Sequence, residues 1–500
     1  MIELKQVSFT YGTEITQADE SGNGIRDLNL TIDKGEFLVL TGSSGCGKTT
    51  VTRLLNGLIP HYYNGVLTGS VTINGADISK MPISQTAKTV GSVFQNPKSQ
   101  FFNVDTTSEL AFALENQGVP VPDIERRIED TVKQFHAEEL MDRSLFKLSG
   151  GEKQKIACAS VAVAGPDVIV LDEPSSNLDI HAIREIKKVL DRWKQQGKTI
   201  IIAEHRLYFL RELADRMLVM EQGRVIRELN KEQIQGMNVQ DTQNMGIRPF
   251  RMEELHSAGK RGAEGQLKLK LTEFAYHYSG SEKGIQIDKV TVNQGSIVAV
   301  IGRNGAGKST FAKCLCGLEK KCAGTVQLDG RAYNARERLK NCYLVMQDVN
   351  HQLFTESVLD EVLLSLDEQA GIKQEQKEET ARHILEDMDL SCFQEVHPMA
   401  LSGGQKQRTA IASAIASKRS VIIFDEPTSG LDYLHMNQVA ENLRHLSRAG
   451  KILFVITHDL ELIMKCCTDI LHFENGKVEE YYELNEEMEG RLKQFFVKEA

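Results

Sequence analysis

The chain has 500 residues, 26% charged and 41% hydrophobic, with a formal net charge of −10, an ordinary composition for several domains that each bury a core. That acidic balance gives no electrostatic reason to expect nucleic acid as a partner. The 9 cysteines show neither CxxC pairs nor Cys/His ligand spacing, so neither a disulfide framework nor a zinc or iron–sulfur site is suggested, and a reducing cytoplasm fits best.

The N-terminal stretch MIELKQVSFTYG alternates like a strand and lacks the basic-then-apolar pattern of a signal peptide. No run approaches the roughly 18 apolar residues of a membrane helix, so a chain neither exported nor membrane-spanning by itself is expected. The apolar run FLVL then predicts a buried strand leading into GSSGCGKTT, Gly42 to Thr50. Gly42, Gly45 and Gly47 let the backbone curl so that N–H groups point at phosphate oxygens, and the following helix adds its positive end. Ser43, Ser44, Cys46 and Thr50 complete the loop, Lys48 places a charge for the β- and γ-phosphates, and Thr49 offers a hydroxyl to Mg2+. Cys46, at a helix N-terminus beside Lys48, is expected to have a lowered pKa if exposed, so that a thiol reagent inactivates this site and ATP protects it.

Further on, Gln95 in VFQNPKSQFF follows a short β-like run, within reach of metal or water. LSGGE places Ser149 as a helix N-cap with Gly150 and Gly151 as close-approach positions, a second anion-binding surface. In VIVLDE, Asp172 ends an apolar strand where a carboxylate supports Mg2+, and Glu173 points differently and is suited to polarise the attacking water. His205 ends another apolar strand, IIAEH, placed for a γ-phosphate.

Residues 231–265 are polar and turn-rich and read as a linker between domains 1–230 and 266–500, spanning roughly 35 Å if flexible. The second half then repeats the first. After IVAV comes GRNGAGKST, with Gly302, Arg303, Asn304, Gly305, Ala306, Gly307, Lys308, Ser309 and Thr310 in the same order. Gln347 follows, then LSGGQ with Ser402, Gly403 and Gly404, VIIFDE with Asp425 and Glu426, and FVITH with His458. The last three pairs keep one common offset and the glycine loops a larger one, because GLIPHYYNGVLTG in the first half is longer than GLEKKCAG in the second. Buried-type strands alternating with helices predict an α/β chain with parallel sheets covered on both faces.

These motifs resemble the ATP-binding cassette family over nearly the whole chain outside the linker and the ends. The resemblance implies two tandem P-loop NTPase nucleotide-binding domains, each with a RecA-like parallel-sheet core, an antiparallel β subdomain and a helical subdomain, using ATP and Mg2+. It makes the glycine loops Walker A, and Gln95 and Gln347 the Q-loop residues, catalytic and metal-contacting. LSGGE and LSGGQ become the signatures, Asp172 and Asp425 the Walker B metal residues, and Glu173 and Glu426 the catalytic carboxylates. SNLD and SGLD match the D-loop, and His205 and His458 the switch histidine. Tyr11 and Tyr278 resemble the aromatic that stacks on adenine, with Phe9 and Tyr276 competing for that place. In this family two cassettes pair head to tail, which implies Lys48 facing Ser402 and Lys308 facing Ser149, within one chain or by exchange between two. Both halves keep every expected residue, so two hydrolytic sites are expected. Glu152 in place of the usual glutamine, and Glu204 where the second half has Thr457, are the departures, and unequal rates are compatible with them.

QNPKSQFF and QDVNHQLF share Gln-x4-Gln followed by bulky apolar residues, and with GLIPHYYNGVLTG are similar to the ATPases of energy-coupling factor importers. That similarity implies an ATPase at the cytoplasmic face of the membrane, working with an integral membrane coupling protein and a substrate-binding membrane protein. Cargo in that family is a vitamin, a vitamin precursor or a divalent metal ion. Phe101, Phe102, Leu353 and Phe354 read equally as core or as a docking groove for the membrane partner. The alternative is a soluble tandem-cassette translation factor acting on ribosomes.

Overall fold

The structure, a computed structural model, describes residues 1–12, 24–176, 178–262, 265, 267–278, 283–367 and 373–498. One compact unit is built on Met1–Glu254 and another on Leu255–Leu431 and His435–Glu499.

In the first unit a six-stranded sheet runs in the order Arg224–Asn230, Arg216–Glu221, Phe37–Gly42, Thr199–Ala203, Val168–Asp172, Val90–Val93. All neighbours pair in parallel except the edge pair of Arg224–Asn230 with Arg216–Glu221. The continuous apolar runs have a direct cause. Phe37, Val39, Ile169, Leu171, Ile200 and Ile202 enter one core, while Leu38, Leu40, Val168, Val170, Ile201 and Ala203 enter the core on the opposite face. A sheet covered on both sides needs apolar residues at every position of its central strands.

A separate antiparallel sheet, ordered Gly24–Ile32, Ile2–Tyr11, Gly65–Ile73, Ala76–Asp77, closes over the second of these cores. Helices Thr106–Asn116, Val121–Phe135 and Gly150–Ala164 form the helical part, with Leu110, Leu114, Ile124, Val132, Phe135 and Ile156 turned into the first core.

The second unit repeats the plan. Ile297–Ile301, Ile452–Ile456, Val421–Asp425 and Cys342–Val345 pair in parallel, and Lys268–His277 lies between Gly284–Asn293 and Ala323–Leu328 in antiparallel pairing. A single parallel bridge, Gln286 to Lys477, joins the two parts here into one ten-stranded sheet. The corresponding place in the first unit is held by the Arg26 N–H donating to the Gly223 carbonyl at 2.8 Å.

Residues 231–254, inside the expected linker, are folded in the structure. Helices Lys231–Gly236 and Val239–Asn244 start at capping boxes on Asn230 and Asn238, and Ile234, Met237, Ile247 and Phe250 are part of the first unit's core. From Leu255 the chain belongs to the second unit, where Ala258 N–H donates to the Met464 carbonyl at 2.7 Å and Arg261 pairs with Asp469 at 3.0 Å. Ala263 and Glu264 of that segment lie outside the described residues. The C-terminal helix Glu486–Lys498 buries Leu492 and Phe496.

Candidate nucleotide sites

Each glycine loop sits between a central strand and a helix that begins at its lysine, Phe37–Gly42 to Lys48–Leu55 and Ile297–Ile301 to Lys308–Leu315. Gly42 and Gly302 take φ of 139° and 141°. A Cβ there would stand 2.0 Å from the Met220 carbonyl oxygen and 2.2 Å from that of Phe473, so only glycine permits the approach. The Lys48 ammonium donates to the carbonyls of Gly42 at 3.1 Å and Ser43 at 2.9 Å, and that of Lys308 to Gly302 at 2.6 Å and Arg303 at 2.9 Å. Ser44, Gly45, Arg303, Asn304 and Gly305 are exposed, whereas both lysines are buried, so each ammonium lies beneath the solvent-facing backbone of its glycine loop. Such a cradle matches a polyphosphate.

Below the loop, Thr49 donates its hydroxyl to Asp172 at 3.2 Å, and Ser309 bonds Asp425 in the second unit. Burial, then the neighbouring Glu173 charge, push the Asp172 carboxyl up to about 7, and burial raises Asp425 as well. A hydroxyl and a carboxylate whose charge is left costly by burial form a hard-oxygen donor set that fits Mg2+.

Glu173 and Glu426 immediately follow these strands in a left-handed backbone conformation, φ 44° and 52°. Their N–H groups still donate to the sheet, to Ala203 at 2.8 Å and Ile456 at 2.9 Å, so the chain twists only after pairing is complete. Such a conformation costs about 1 kcal/mol or more for a residue other than glycine and recurs at functional sites. It aims each carboxylate at its histidine: His205 Nε2 lies 3.3 Å from Glu173 and His458 Nε2 lies 3.6 Å from Glu426. Burial opposes ionisation of Glu173, yet the His205 imidazole and the Lys48 ammonium hold it below the usual glutamate range. The Gln95 amide donates to Glu173 at 2.8 Å, so this glutamine rests on the glutamate and not on Asp172. Gln347 is exposed just past the strand Cys342–Val345.

Ser149 and Ser402 are N-caps with complete capping boxes, on helices Gly150–Ala164 and Gly403–Ala416. A Cβ at Gly150 or Gly403 would meet open space, whereas one at Gly151 would stand 2.9 Å from Ala182 and one at Gly404 3.3 Å from Leu431. The first glycine of each pair therefore faces outward and the second admits close packing. Asn177 of the SNLD segment lies outside the described residues.

The family model for ABC transporters matches residues 25–176 and 285–429. A Treponema denticola protein named as an ABC transporter ATP-binding protein is 40% identical over 99% of this chain and 100% of its own length. The chain belongs to the ABC transporter family. A likewise named protein of Methanosarcina acetivorans is 31% identical over 95% of this chain and 85% of its own. Among solved structures, a chain from the model of ribosome-bound archaeal Pelota and ABCE1 matches with a TM-score of 0.70 over 98% of this chain and 80% of that one. At 21% identity this likeness concerns the fold.

As an ABC ATPase the protein uses ATP with Mg2+, and its two cassettes differ in detail. Glu152, standing where the second cassette has Gln405, accepts the Ser149 N–H at 2.7 Å as Gln405 accepts the Ser402 N–H at 2.9 Å. Its extra charge is answered by Arg143 at 3.2 Å, where the second cassette has Val396. Glu204 is buried behind Glu173 and accepts the N–H groups of Ser175 at 3.2 Å, His205 at 2.8 Å and Arg206 at 3.1 Å. In the second cassette the carboxylate comes from Asp459, which accepts from the Thr428 hydroxyl at 2.8 Å and caps the helix Leu460–Cys466.

Cys46 departs from expectation. Its side chain is 2% exposed, packed under Gly42, and burial raises its pKa despite Lys48. The sharp turn that opens the loop's backbone to solvent turns this side chain inward. Native protein treated with a thiol reagent is therefore expected to label the exposed Cys392 first, with Cys46 slow and ATPase little changed. Peptide mapping by mass spectrometry checks this, and fast labelling of Cys46 that ATP prevents would restore the reactive-thiol reading.

Tyr11 is half-buried with its hydroxyl 3.2 Å from that of Thr50, and the Tyr278 and Thr310 hydroxyls are also 3.2 Å apart. Phe9 is fully buried in the core, which leaves Tyr11 at the loop. Two residues not singled out from sequence are Glu109 and Glu361. Buried at 4% exposure each, they accept the N–H groups of Phe102 and Asn103 at 3.0 and 2.9 Å, and of Phe354 and Thr355 at 3.1 and 3.2 Å. Their matching register, SELAF and DEVLL, was the available signal.

Proposed function

We propose that the chain is the ATPase of a membrane importer of the energy-coupling factor type, driving an integral coupling protein that works with a substrate-binding membrane protein. Vitamins, their precursors or divalent metal ions are the substrate class. Among the described residues no helix is long and apolar enough to cross a membrane, so the driven part is another chain. The observation that carries the reading is the loop after each Q-loop. Phe101 packs on the core and Leu353 is buried, but Phe102 and Phe354 stand 75% and 74% exposed in both cassettes, each held out by a buried glutamate. Phe102 stacks on Phe112 beside a groove of about 290 Å3 lined in part by Leu58, Ile83, Phe94 and Ala113. Large aromatics fixed outward beside an apolar groove suit an apolar partner helix.

Within each cassette Lys48 or Lys308 holds the phosphates, Thr49 with Asp172 or Ser309 with Asp425 holds Mg2+, and Glu173 or Glu426, set by its histidine, orients the attacking water. Mg2+ when bound supplies charge neutralisation at the phosphates. In the family's head-to-tail pairing, the Ser149 and Ser402 caps would each complete the ATP held by the other cassette.

Affinity purification of the tagged protein from detergent-solubilised native membranes is expected to recover small polytopic membrane proteins, and Phe102→Asp with Phe354→Asp to lose them while ATP binding persists. Recovery of ribosomes instead, unaffected by those substitutions, would move the protein to translation. The net charge of −10 sets RNA binding at an electrostatic disadvantage.

A further inference from the structure

The longer connection in the first cassette places Tyr63 beside the nucleotide loop. The Arg53 guanidinium lies over the Tyr63 ring, 3.9 Å from its centroid, and donates to the Tyr11 hydroxyl at 2.9 Å. The same hydroxyl also lies 3.2 Å from that of Thr50, within hydrogen-bond reach. Tyr63 also meets Tyr11 edge-on at 6.2 Å, and Phe9 meets it edge-on from the core side at 4.8 Å. Tyr11 is thereby fixed by contacts to both its ring and its hydroxyl.

The second cassette shares only part of this. Tyr276 stands in edge contact with Tyr278 at 5.0 Å, as Phe9 does with Tyr11, and the Thr310 contact is kept. At the position of Arg53, five residues after the loop lysine, it carries the exposed Lys313, and its connection lacks the tyrosine pair Tyr62 and Tyr63. An ammonium offers neither the planar stacking surface nor the fork of donors by which one guanidinium bridges a ring and a hydroxyl.

We propose that Arg53 and Tyr63 are positioning residues that hold the Tyr11 ring ready for the base of the bound nucleotide in the first cassette alone. The inference rests on the reading of Tyr11 as the base-stacking aromatic. A ring already held in its bound rotamer loses little freedom when the base stacks, and that saved ordering appears as affinity.

Calorimetric titration of the full chain with a non-hydrolysable ATP analogue separates the sites. Lys308→Ala reports the first and Lys48→Ala the second. In the first background Tyr63→Ala is expected to weaken binding about threefold to tenfold. Tyr63→Phe, which keeps the ring under the guanidinium, should restore it, and Arg53→Lys should weaken it to a similar degree. Second-site affinity should not move. Unchanged first-site affinity in Tyr63→Ala, alongside a loss in Tyr11→Ala, overturns the brace and leaves the stacking reading intact. Unchanged affinity in Tyr11→Ala overturns both, and equal losses at the two sites mark a general structural defect and likewise overturn the brace.

Discussion

Replacing both Glu173 and Glu426 by glutamine is expected to lower ATP turnover at least about 100-fold while ATP binding is retained, the scale set by losing a positioned base. Glutamine fits each site without rearrangement, because it keeps the length and tolerates the left-handed φ of 44° and 52° no worse than glutamate. The Gln95 amide can still donate to the new side-chain carbonyl as it does to Glu173. What disappears is the negative charge beside His205 and His458, and with it the ability to draw a proton from water. If the cassettes turn over independently, the rates left in the two single variants are expected to add up to the parent rate, and to much less than that if the cassettes are coupled. Steady-state phosphate release with the three variants distinguishes these cases, and turnover near wild type in the double variant would remove the two glutamates from the chemistry.

The legible parts of the sequence are those whose geometry is local. A glycine that must take φ near 140° against a carbonyl 2.0 Å from any Cβ is written into the chain as a glycine-rich turn, and the apolar run before it as a strand buried on two faces. The Asp-Glu pairs were readable because four apolar residues place them at a strand's end, and LSGG because a cap and its box span four consecutive residues.

What escaped depends on burial that local spacing does not report. Cys46 sits beside a lysine, which in sequence suggests a reactive thiol, but the tertiary turn at Gly42 buries it. Glu109 and Glu361 look like surface positions on amphipathic helices until the loops at Phe102 and Phe354 come back to be held by them. Residues 231–254 read as linker because six-residue helices are too short to show a period, although each opens on an Asn-capped box. The Tyr63 brace joins segments far apart in the chain, and only the length of the intervening connection hinted at it.

Asp172→Asn is expected to move stability and activity in opposite directions. The native carboxyl is raised from 3.8 to about 7, chiefly by burial and then by Glu173, so between those pH values the folded chain holds a proton that the unfolded chain has released. The contribution of this group to stability is therefore fully present below about pH 4 and is lost as pH rises through about 7. At pH 8 nucleotide-free protein keeps a buried charge next to Glu173, relieved in part by the Thr49 hydroxyl at 3.2 Å, by Arg53 and by Lys48. Asparagine still accepts from Thr49 and carries no charge, so Tm should rise by about 2–4 °C at pH 8 and by progressively less as pH falls towards 4. The same change removes the anionic oxygen for Mg2+, so the extra stabilisation by ATP with Mg2+ over ATP with chelator should shrink and first-site hydrolysis fall at least about tenfold. Scanning fluorimetry across pH, with and without Mg2+, reads both effects. A lower Tm at pH 8 would mean that Lys48 and Arg53 already compensate the charge in the empty site, and that Asp172 holds the cassette together as an ion-pair partner before any metal arrives.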